Sequence, residues 1–179
     1  MKKLLLVFTI FINFQVFGQV KEITLQASGL TCSMCSKAIY KALEKMAITN
    51  HISSNIEEST YTLKFNGNEP VDFDAIRKVV ESAGFFVIKM EVMATFNSVK
   101  IQNDTHIMLN GMTLHFLSVN EQILSGDHTF QIIDRKFVQE KVYKKYAATT
   151  QMECLKSGTM KTDGKNLDKK KERIYHVTV

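Results

Sequence analysis

Glu22-Ile23-Thr24-Leu25-Gln26-Ala27-Ser28-Gly29-Leu30-Thr31-Cys32-Ser33-Met34-Cys35 is the stretch that decides the fold. Up to Ala27 polar and apolar residues alternate, the pattern of a half-buried strand. Ser28-Gly29-Leu30-Thr31 ends it. From Ser33 the period changes: Ala38, Ile39, Ala42, Leu43 and Met46 recur at helical spacing and make one apolar face. Ser33 suits the N-cap of that helix. One cysteine therefore sits on a loop and the other in the first helical turn. Side chains three apart there share a face, so both sulfurs reach a common point.

Working outward, Ile48 to Ile56 reads as an extended segment with Ile48, Ile52 and Ile56 on one face, and Tyr61, Leu63 and Phe65 alternate in the next strand. Asn66-Gly67-Asn68 is a turn signal. Asp72 suits the cap of a second helix with Phe73, Ile76, Val79, Val80 and Ala83 inward, and Gly84 stands where a left-handed helix end requires it. Phe86, Ile88, Met90 and Val92 alternate in a last strand. The order is βαββαβ, the split βαβ arrangement: an antiparallel sheet with two helices on one face.

The chemistry of the pair follows from its position. A helix N-terminus carries partial positive charge, which favours thiolate. Two thiolates without a hard oxygen ligand favour Cu(I) or another soft ion. Two ligands leave that ion undersaturated, so a partner can take it by adding its own thiolates. The same C-x-x-C suits a thiol–disulfide oxidoreductase, although the only proline, Pro70, precedes the second helix. A disulfide between Cys32 and Cys35 is the third alternative; its small loop makes the entropic gain small.

Gly29-Leu30-Thr31-Cys32-Ser33-Met34-Cys35 resembles the G-M-T-C-x-x-C motif of the heavy-metal-associated domain family, and Ala83-Gly84-Phe85 is similar to that family as well. The resemblance covers residues 21–92. Such domains occur in copper chaperones, in copper-transporting ATPases and in the periplasmic mercury-binding protein. It implies a ferredoxin-like fold, Cys32 and Cys35 as metal ligands, and Phe85 packed beside the site as a shield. Cu(I) is the expected ion, with Zn or Hg as alternatives, and a metal-transfer protein or membrane transporter is the expected partner. Leu30 replaces the family's usual methionine, and His51-Ile52-Ser53-Ser54 is polar for a second strand, so a module that has lost metal binding stays open. Met34, between the two cysteines, is a weak additional ligand candidate or an exposed docking surface.

Met1-Lys2-Lys3, the apolar run Leu4–Phe17 and the small residues Val16 and Gly18 have the layout of a signal peptide over residues 1–18. The run is about 14 residues, short of the roughly 20 that span a bilayer. A periplasmic or secreted protein with no transmembrane segment in its mature chain is expected. Export sets nucleic acid aside as a partner despite the pI of 9.0. Lys21–Val92 carries 8 basic and 9 acidic residues and Met93–Val179 carries 13 and 9, so net charge passes from −1 to +4.

That shift, and a change of pattern, suggest a second unit over residues 94–179, with the boundary between Val92 and Val99. Thr105–Val119, Asp127–Asp134 and Arg173–Val179 read as strands separated by Gly111, Gly126, Gly158 and Gly164, while Phe137–Tyr146 fits strand or helix. The expected class is thus α+β: a ferredoxin-like domain followed by a small mostly-β domain, with an OB-like barrel as one form. His106, Met108, Met112 and His115 cluster in sequence, which suits either a second copper site or filler and surface. Cys154 reads as a buried thiol or a ligand, with Met152 on its face if the segment is a strand. Lys169-Lys170-Lys171 reads as a solvated turn, and Lys141–Tyr146 as a solvated face or an anion contact. No G-x-S-x-G, H-E-x-x-H or phosphate-binding glycine loop occurs, so a non-enzymatic role is expected.

Overall fold

Alternation in β1 (Gln19–Ser28) turns Ile23, Leu25 and Ala27 inward, and all three are buried. The computed structural model describes residues 18–29, 33–46, 49–65, 70–161 and 171–179. The expected leader up to Phe17, Leu30-Thr31-Cys32, Ile48, the Asn66-Gly67-Asn68 turn, Gly164 and most of the Lys169–Lys171 run lie outside the described residues.

α1 (Ser33–Glu44) buries Ile39 and Leu43, and β2 (His51–Asn55) and β3 (Thr60–Lys64) follow. α2 (Phe73–Ser82) is capped by Asp72, whose carboxylate accepts from the Ala75 amide at 3.0 Å. Gly84, at φ +90°, ends it. β4 (Phe86–Ile101) completes the unit. β1 lies between β3 and β4, antiparallel to both, and β2 pairs with β3. α1 and α2 pack on each other and share one core with this sheet. This is the ferredoxin-like βαββαβ arrangement.

Two details of this unit differ from the sequence expectation. Ile56 is exposed, because β2 ends at Asn55 and the chain turns there. Phe86 is 66% exposed and Val87 is buried. A register shift between Gln26 and Ala27 sets Gln26 opposite Lys89 but Ala27 opposite Val87, so a bulge at Ile88 reverses the phase of the strand start.

β4 does not stop where the first unit is complete. It runs on and pairs antiparallel with β7 (Gln122–Ile132) from Glu91 to Ile101. The boundary expected between Val92 and Val99 thus falls inside one continuous strand rather than in a linker. The Thr105–Val119 segment is a hairpin, β5 (Thr105–Leu109) and β6 (Met112–Phe116). Asn110 and Gly111, both at positive φ, form its two-residue turn. Gly126, at φ +81°, does not separate strands; it sits inside β7 beside the register shift between Phe96 and Val99. The ambiguous Phe137–Tyr146 stretch contains α3 (Glu140–Ala147), followed by α4 (Cys154–Ser157), the short β8 (Thr159–Lys161) and β9 (Lys171–Thr178).

The described strands form one sheet in the order β2-β3-β1-β4-β7-β9-β6-β5, with β8 added to β9. That path has two ends, so among the described residues the second β region extends the sheet of the first. One buried cluster runs from Ile39 and Phe73 to Phe116 and Val177. A smaller one gathers Leu117, Ile133, Val138, Tyr143 and Leu155 under α3. Arg173 on β9 ties the two regions together through Asp74 of α2 at 2.8 Å and Asp134 at 2.7 Å. No helix among the described residues is long and apolar enough to cross a membrane.

Candidate functional site

Strand β1 delivers the chain to the cysteine loop through Gly29, whose φ of +85° is a left-handed conformation that glycine adopts without strain. Cys32 lies outside the described residues. Cys35 is in the first turn of α1 and half-buried. The turn is held from below. The buried Ser36 hydroxyl lies 2.9 Å from the Tyr61 hydroxyl, which in turn donates to the Ser36 carbonyl at 3.1 Å. Burial pushes the Tyr61 hydroxyl up; the Ser36 hydrogen bond opposes this, and negative charge on Cys35 adds to it. Tyr61 therefore stays neutral and, through Ser36, anchors the helical turn that carries Cys35. The Phe85 ring is 3.8 Å from where a β-carbon on Gly29 would stand, so it borders the start of the loop. Met34 is 80% exposed.

The second sequence cluster divides. Met108 is exposed and Met112 packs against the main core. His106 and His115 are cross-strand neighbours on β5 and β6, with rings stacked at 4.1 Å. Cys154, at the start of α4, brings its sulfur 3.7 Å from His106 Nε2 and 3.4 Å from His115 Nδ1. Burial, then the neighbouring imidazoles, hold His115 down to about 4 against the opposing pull of Asp104. Burial also lowers His106. Three members of this group were invisible in the sequence: His176, Asp104 and Asp134. A lone histidine in the last strand carries no signal pairing it with His115; only the parallel β6–β9 register does.

With Cys35 in the first turn of α1 and Cys32 three residues before it in sequence, this is a small α+β domain bearing a cysteine pair at the start of its first helix. Residues 24–86 match the model of the heavy-metal-associated domain family, as the motif resemblance implied. Over 67 residues the chain is 30% identical to a probable copper-exporting P-type ATPase of Archaeoglobus fulgidus, a stretch covering 37% of this chain and 8% of that relative. Similar solved structures include apo-CopP from Helicobacter pylori, 24% identical, covering 37% of this chain and 98% of that one at a TM-score of 0.32. Another is the N-terminal domain of PacS from Synechocystis, 21% identical, covering 37% and 92% at 0.33. The family match ends at residue 86, so β5 to β9 lie outside it.

Proposed function

We propose that this protein is an exported carrier of a soft metal ion, Cu(I) foremost, held between Cys32 and Cys35 and passed to a partner protein or membrane transporter. The observation that carries it is the placement of Cys35 in the first turn of α1, directly after a strand–glycine–loop entry that also bears Cys32. Thiolates gathered there have the helix N-terminus behind them and no hard oxygen ligand in the motif. The exposed Met34 gives an incoming partner an apolar contact beside the ion, and Phe85 limits access from the strand side. The likeness to a copper-exporting ATPase supports copper over zinc or mercury. Export rests on the residue 1–18 leader pattern.

The pair acts as a carrier and not as a turnover catalyst. Titrating reduced protein anaerobically with Cu(I) against a competing chelator tests this. Replacing Cys32 and Cys35 together by Ser removes the tightest equivalent. A double variant that keeps every equivalent the unaltered protein binds refutes the assignment. Insulin reduction at the rate of a dedicated oxidoreductase, dependent on Cys35, refutes the carrier role.

A further inference from the structure

Three histidines stand in a row across adjacent strands at the far end of the sheet. His106 of β5 is paired in register with His115 of β6, and His115 with His176 of β9. Because cross-strand partners project to the same side of a sheet, the three rings form a ladder. The His115 and His176 rings meet edge to face at 5.1 Å. Cys154 closes over the row from α4, and donor atoms of His106, His115 and Cys154 all lie within 4.8 Å of one another.

The buried rings present lone pairs for a reason. His115 Nε2 is 3.1 Å from Asp104 Oδ1, and a carboxylate can only accept, so that nitrogen carries the proton. Nδ1, the atom facing the Cys154 sulfur, is left with its lone pair. His176 Nδ1 donates to Asp134 Oδ1 at 2.6 Å. Its Nε2 is a buried acceptor with no hydrogen-bond partner among the described residues. Burying such a group without a partner is costly, and a metal ion would supply that partner. Carboxylates that fix the tautomer and aim of an imidazole are the usual outer shell of metal-bound histidine.

We propose that His106, His115 and Cys154 form a second metal site, for Zn(II) or copper, with the His176 ring and its unpartnered Nε2 bordering it against His115. The spacing fits. An ion about 2.3 Å from the sulfur and about 2.0 Å from each nitrogen converts sulfur–nitrogen separations of 3.4 and 3.7 Å into angles of roughly 104° and 119°, close to tetrahedral and trigonal values. Two imidazoles with one thiolate are a borderline-soft donor set, which suits these ions over Mg(II) or Ca(II). The stacked His106 and His115 rings must open for both lone pairs to meet the ion. His106 is the half-buried member, so its ring is the one that turns, and entry is from its side. The Cys154 sulfur faces the His115 Nδ1 lone pair at 3.4 Å, so without metal its thiol proton has an acceptor there. Binding therefore forms a metal–sulfur bond and releases one proton to solvent. β1 and β9 are three strand spacings apart, roughly 14 Å along the sheet, so this ion is distinct from the one assigned to Cys32 and Cys35.

The test uses the full chain carrying Cys32→Ser and Cys35→Ser, so that its result is independent of the first site. Co(II) is titrated anaerobically and read by absorption. The expected result is one equivalent with a thiolate-to-cobalt charge-transfer band and four-coordinate d–d bands, bleached by Zn(II). Cys154→Ser abolishes the charge-transfer band. His106→Gln, at the half-buried position, weakens binding at least tenfold while metal-free unfolding midpoints stay close to the parent's. Absence of the charge-transfer band, its survival in Cys154→Ser, or unchanged affinity in His106→Gln each overturns the proposal.

Discussion

Removing the link between Arg173 and Asp74 measures how far the two halves of the sheet behave as one unit. Asp74 lies in the first turn of α2, and its Oδ2 accepts from Arg173 Nε of β9 at 2.8 Å. The side chains are 23% and 34% exposed, which puts the pair between a surface bridge and a buried one. Hydrogen bonds to charged groups contribute about 1.5–3 kcal/mol when shielded, and exposed ion pairs about 0.2–1 kcal/mol. A coupling energy of roughly 1–2 kcal/mol is expected for this intermediate case. Asp74→Ala alone costs more than the coupling, because Asp74 also holds the buried Arg77 at 3.3 Å, which is then left with Glu81. The assay is urea unfolding of the unaltered protein, the two single variants and the double variant. One transition is expected, with similar slopes in all four. Single-variant effects that add to within about 0.5 kcal/mol would show that the α2–β9 contact is inert. Two separated transitions in the unaltered protein would refute the reading of β4 and the shared core as one cooperative structure.

Acid provides a second check on the same carboxylate. Burial alone pushes the Asp74 carboxyl up, but the hydrogen bond and charge of Arg173, with Arg77 behind them, outweigh it and hold the group below the ordinary 3.8. A depressed folded value means stabilisation that is present above the ordinary carboxylate range and lost as pH falls through the folded value. Urea midpoints should therefore fall below about pH 4, and Asp74→Asn should flatten that fall; an identical slope in the variant would contradict the ion-pair account. At the start of β4, Phe86→Ser should change stability by no more than about 0.5 kcal/mol, while Val87→Ser should cost more than about 2 kcal/mol. The reverse order in thermal unfolding would remove the bulge at Ile88.

Local pattern alone determined the first unit. A switch from period two to period 3.6 across Ala27 to Cys35 is a backbone signal, and the turns and caps around it use short-range chemistry: Gly29 and Gly84 at positive φ, and Asp72 on the Ala75 amide. The cysteine pair was legible for the same reason, since both cysteines sit four positions or fewer from the helix start. Phase at the strand edge was not legible, because a bulge depends on what the partner strand does, and Phe86 gives no local sign that Ile88 will be the extra residue.

Beyond Val92 only the tertiary structure decided. Nothing in residues 86–101 announces that one strand serves two regions, since an interior strand of sixteen residues has the same alternation as two short ones. The histidine row is the clearest case. His106 and His115 are joined across the two-residue Asn110-Gly111 turn, but His176 reaches them through a parallel pairing of β6 with β9, and Cys154 through a helix that packs over them. Register between strands distant in sequence is set by which faces bury together, a property of the assembled sheet and of no single segment.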